Sequence, residues 1–184
     1  LDDYRRALFR GLVDEALGPD APERADLEGP PWPGSCRYAL CVTYDVDTPA
    51  ALRQVGTLVD EDLAHGARPT LFVAPELMGS KPLLGVTEAG AEVGLLANQA
   101  HLKRPARVRQ QLQRLGDSFA ELEVTGFRGA PWALTGPHLA ELREVMRYSS
   151  SVPDTIPCPT DGGHRGCVIT TPFRREGLIE VPIT

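Results

Sequence analysis

From residue 38 onward, short apolar runs alternate with segments of helix length, and that rhythm admits few architectures. Y-A-L-C-V-T-Y (38–44) is almost continuously apolar, as a strand covered on both faces would be. T-P-A-A-L-R-Q-V-G-T-L-V-D-E-D-L-A-H-G follows, with Thr48 placed to cap a helix, Pro49 at its first position and Gly66 as its stop. Next come a strand in P-T-L-F-V-A-P, a loop, a strand in A-E-V-G-L-L-A and a basic helix over about 105–122. V-T-G-F-R reads as the next strand, a helix is expected over about 135–147, and Y-S-S-S-V and G-L-I-E-V-P-I-T close the series. Strands separated by helices of this length form βα units and a mostly parallel sheet. In such sheets functional side chains gather just beyond the carboxyl ends of the strands.

The 184 residues suit one domain with an extension, and 42% apolar against 24% charged residues supports a packed core. Residues 1–34 read as an amphipathic helix followed by a linker rich in Pro and acid, and residues 35–184 as the α/β domain. A net charge of −6 without a Lys/Arg run argues against nucleic-acid binding. No stretch is apolar for long enough to span a membrane, and no signal core stands at the start, so the cytoplasm is slightly favoured. The four cysteines form no C-x-x-C pair. Cys36 and Cys41 are expected as small core residues, while Cys158 and Cys167 bracket a loop that an oxidising compartment would let close as a disulfide.

Three strand ends carry candidate chemistry. T-Y-D-V-D-T places Asp45 and Asp47 two residues apart, so on an extended chain both carboxylates leave one face. Such a pair serves either a metal with an adjacent base or a cap on the next helix. His101 follows the third strand, as a metal ligand or an ordinary surface residue. Arg128 ends the fourth strand, to orient an acid in a pocket or to form a surface ion pair. Trp132 stands beyond it as a sugar-stacking wall or a plug, and Tyr44 is a second candidate for contact with substrate.

These segments, in this order, resemble the NodB-homology polysaccharide deacetylases, over roughly residues 32–184. T-Y-D-V-D is similar to that family's first motif, in the variant with one residue between the acids; the D-V-D-T branch includes deformylases of lipid-linked aminoarabinose. A-R-P-T-L-F-V-A-P-E-L-M-G resembles the second-strand segment, G-F-R-G-A-P-W-A-L-T the third motif, and Y-S-S-S-V and T-P-F-R-R-E-G-L-I-E-V-P-I-T the later strands. The resemblance implies a partial, distorted (β/α) barrel and hydrolysis of the amide bond of an N-acylated sugar or related small molecule. Asp45 would be the general base, Arg128 its holder, and Asp47 a ligand to a divalent metal, usually zinc.

Two motifs depart from the pattern. The family's His-Ser/Thr-x-x-His places its histidines where this chain has Leu96 and Ala100, with His101 one position late. A leucine has no lone pair to offer a metal, so the zinc site is expected to be weakened or lost. The given sequence also ends before the family's general-acid histidine, so either it is truncated or the domain lacks its acid, and an open sheet edge is expected that a second copy, a partner chain or, in part, the leading helix would cover. Three functions fit: a deacetylase-like hydrolase, a binding domain without catalysis, or a metal-independent enzyme using Asp45, Asp47 and Arg128.

Overall fold

The computed structural model describes residues 40–97, 122–129, 134, 136–152, 156–157, 164–165 and 172–183. The expected helix and linker of residues 1–34, the basic helix over about 105–122 except its last residue Leu122, His101, Trp132 and the cysteines at 36, 158 and 167 lie outside them. The described chain is an α/β fold around a mostly parallel seven-stranded sheet. In chain order its elements are β1 (Thr43–Val46), α1 (Pro49–Ala64), β2 (Thr70–Val73), a 3-10 turn (Pro75–Leu77), α2 (Lys81–Glu88), β3 (Glu92–Ala97), β4 (Val124–Gly129) and α3 (Gly136–Leu142). They continue as β5 (Tyr148–Ser149), β6 (Ile156–Pro157), β7 (His164–Arg165), β8 (Phe173–Arg175) and β9 (Leu178–Glu180). The sheet runs β1-β2-β3-β4-β5-β9-β8, with only β8 antiparallel, and β6 and β7 form a separate two-stranded pair.

Local chemistry accounts for the elements. The Thr48 hydroxyl accepts the Ala51 amide at 3.1 Å, Pro49 opens α1, and Gly66 (φ 78°) lies just past its end. Val55 and Val59 are buried on its inner face, in one apolar cluster with Val46, Leu71, Val73, Val93, Leu95 and Phe127. Each buried valine stabilises the packing by about 1.5–2 kcal/mol. The segment read from sequence as a loop after β2 contains α2. Its Pro82 lies in the first turn, where a missing amide is tolerated, and Leu83 and Val86 are buried in the core.

The sheet is strongly curled. Cα atoms of β2 and β4, second neighbours, come within 8 Å of each other, whereas a flat sheet separates them by about 9.5 Å. Side chains on the concave face meet across intervening strands. The rings of Phe72 on β2 and Tyr148 on β5 pack edge to face with centroids 6.5 Å apart. Glycines make room for them. A Cβ on Gly94 would lie 2.7 Å from Phe72 Cδ1, and one on Gly126 would overlap the Tyr148 hydroxyl. Beneath the rings, Glu92 accepts hydrogen bonds from Thr70 (2.9 Å), Thr125 (2.8 Å) and Tyr148 (3.0 Å), closing the amino-terminal end of the sheet with a polar layer. Burial, then the Glu92 charge, push the Tyr148 hydroxyl well above its ordinary value.

One expectation for β1 fails. Among the described residues it stands at the edge of the sheet, and it is not covered on both faces, since Asp45 is exposed on the concave side; it begins only at Thr43, and Leu40 (81% exposed) and Cys41 precede it in solvent. The apolar run therefore describes one buried face, through Tyr44 and Val46, and an exposed approach.

Candidate functional site

Within β1 successive side chains alternate between faces, so Thr43 and Asp45 point into the concavity while Tyr44 and Val46 point to the helices. Asp45 is in register with Phe72 on β2, Phe72 with Gly94 on β3, and Leu96 with Arg128 on β4. Arg128 is 7% exposed and lies with its guanidinium carbon 4.1 Å from the Phe72 ring centroid. From there its Nη1 donates to Asp45 Oδ1 at 2.8 Å and its Nη2 to Thr43 Oγ1 at 3.1 Å. Its Nε donates to the Ser150 carbonyl at 2.8 Å and Nη2 also to Ser150 Oγ at 2.9 Å. In a flat sheet β1 and β4 would stand about 14 Å apart, beyond the combined reach of the two side chains. The pair exists because the sheet curls.

The arrangement has a chemical direction. Four of the five guanidinium N–H bonds end on the protein, so the cation holds its neighbours in place instead of reaching for a ligand. Asp45, by contrast, keeps half of its side chain in solvent at the carboxyl end of the sheet. Among the described residues the other oxygen of this carboxylate takes no hydrogen bond, which places it to accept a proton.

The remaining sequence candidates divide. Asp47 follows the end of β1, is exposed, and makes no hydrogen bond or ion pair among the described residues. Neither aspartate caps α1, since Thr48 does so. Tyr44, expected to line the pocket, faces the opposite way. Its hydroxyl donates to Asp62 Oδ2 on α1 at 2.9 Å, and that bond raises its pKa above the ordinary 10.0. Its position between two inward-facing residues of the strand dictates this. His101 and Trp132 lie outside the described residues.

The described residues do not fit a zinc centre. Asp45 Oδ1 is taken by Arg128, Leu96 stands beside Arg128 without a lone pair, and no group of three His, Cys, Asp or Glu is placed to hold a metal among the described residues.

Sequence reasoning passed over Thr43, Phe72, Ser150 and Glu180. The signals were three hydroxyls in the run Y-S-S-S-V, and one acid inside G-L-I-E-V-P. Ser149, Ser150 and Ser151 are at most 3% exposed. Ser150 serves Arg128, while Ser149 and Ser151 face away from it, their hydroxyls 2.8 Å apart. Ser151 Oγ also accepts the Gly129 amide at 3.0 Å. Glu180, 1% exposed, accepts the amides of Ser151 (2.6 Å) and Val152 (2.9 Å) through Oε1.

Set beside known proteins, the chain matches no family model, no curated protein and no solved structure. Among the described residues no helix is long and apolar enough to cross a membrane.

Proposed function

We propose that this protein is a hydrolase with a partial, distorted (β/α) barrel of the polysaccharide deacetylase type, acting on the amide bond of an N-acylated sugar or a related small molecule. The observation that carries this reading is the reach of Arg128 from β4 to Asp45 on β1. The resemblance assigns these two residues the roles of base holder and base, and they meet at the end of the sheet where such chemistry belongs. Asp45 accepts a proton from water as the water oxygen attacks the acyl carbon. The C–N bond then breaks, the acyl group leaves as the acid, and the nitrogen takes the proton from Asp45 and leaves as the free amine, which returns Asp45 to its carboxylate form. Arg128 fixes the direction in which Asp45 faces throughout. In relatives of this type a divalent metal polarises the carbonyl; the described side chains do not complete a site for one, and no step here is assigned to it.

The test is release of acyl groups from N-acetylated amino-sugar oligomers by the full chain, with metal content measured on the same sample. Asp45→Asn should lower turnover by about 10²- to 10⁴-fold; unchanged turnover removes the hydrolase reading. A second reading, a binding domain on the same scaffold, is favoured by Leu96, an apolar side chain beside Arg128 where the family pattern has imidazole. Saturable binding of the oligomers with no turnover in any metal would establish it.

A further inference from the structure

We propose that Glu180 is a positioning residue for the Asp45–Arg128 pair, acting from the opposite face of the sheet through the backbone that carries Ser150. Its catalytic consequence rests on the hydrolase reading; its geometry does not.

The path is continuous. β9 pairs with β5 so that Glu180 is in register with Ser149, placing its carboxylate behind the strand end. There Oε1 takes the two successive amides of Ser151 and Val152. Ser149 is held from the same side by its carbonyl, which accepts the Val181 amide at 2.7 Å. Ser150 lies between these anchored residues and faces the other way, giving Arg128 both its carbonyl and its hydroxyl. A shift of the 150–152 backbone would thus move two of the four bonds that aim the guanidinium at Asp45.

Stability alone does not call for this arrangement. Glu180 is buried, yet among the described residues Oε2 has no hydrogen-bond partner. A buried carboxylate with one oxygen unsatisfied is a costly way to cap two amides. What the residue does supply is a fixed position for the segment from which Arg128 is held.

Glu180→Asp withdraws the acceptor by one methylene, Glu180→Ala removes it, and Glu180→Gln retains an acceptor oxygen for both amides. The primary measurement is hydrogen exchange of the Arg128 Nε–H by NMR, the signal assigned by its loss in Arg128→Lys. Wild type and Glu180→Gln should protect it equally, and Glu180→Asp or Glu180→Ala, below their unfolding temperatures, should exchange it at least about tenfold faster. In the hydrolysis assay the same two variants should lower kcat by about 10- to 100-fold with KM within about twofold, and Glu180→Gln should restore kcat. Equal protection in all folded variants overturns the proposal, as does loss of fold in both disruptive ones, which would mark a purely structural residue. If wild type shows no Asp45-dependent turnover, the hydrolase reading fails and the Nε–H exchange still decides the role of Glu180.

Discussion

The Asp45–Arg128 contact owes little to charge attraction. Asp45 is half in solvent, where an ion pair contributes about 1 kcal/mol or less. The bonds from the guanidinium to Ser150 are buried, and hydrogen bonds to charged groups contribute about 1.5–3 kcal/mol each. Lysine keeps the charge but cannot form the fork over Phe72. Arg128→Lys should therefore lower unfolding free energy by about 2–4 kcal/mol in urea denaturation, and Asp45-dependent turnover should fall with it. Glu180 sets a pH dependence. Burial raises its carboxyl above the ordinary 4.5, against the opposing pull of the Ser151 and Val152 amides, the Ser149 hydroxyl and the Arg175 charge. Above the ordinary value the unfolded chain has released this proton while the folded chain still holds it. Its contribution to stability is thus complete below about pH 4.5 and is lost as pH rises through the elevated folded value. Glu180→Gln should melt higher than wild type at pH 8, by about 2–4 °C for each kcal/mol of relief. The gap should close at pH 4.

Among the elements, those with local signals were legible and those defined by distant partners were not. Thr48, Pro49 and Gly66 marked both ends of α1 because capping is a contact between near neighbours. The runs holding β2, β3 and β4 stood out by their apolar residues. Arg128 and Asp45 were legible as a pair only through a resemblance, since 83 positions separate them. Nothing in local spacing linked Ser150 to Arg128, 22 residues away, or Glu180 to Ser151, 29 residues away. α2 was hidden because Pro82 and Gly85 read as loop residues, and burial of Leu83 and Val86 outweighs that propensity. Gly94 shows the reverse case, a small residue required by a partner on another strand. Gly94→Ala should cost about 1–3 kcal/mol by thermal denaturation, because the Phe72 ring is confined by Arg128 above and Tyr148 beside it. Phe72→Leu in the same chain should recover part of that loss.

For the molecule as a whole, β1 and β8 are the two ends of the seven-stranded sheet. Amide exchange should be slowest in β2, β3 and β4 and faster in both edge strands. Arg128→Leu should accelerate exchange in β1 while leaving β8 unchanged, since only β1 is tied across the concavity by this side chain; equal effects on both edges would contradict the tie. The guanidinium joins the ends of a four-strand span as a string joins the tips of a bow. The aim of the carboxylate is then set by the arch: a perturbation that straightens the bow also pulls Asp45 out of line with Arg128.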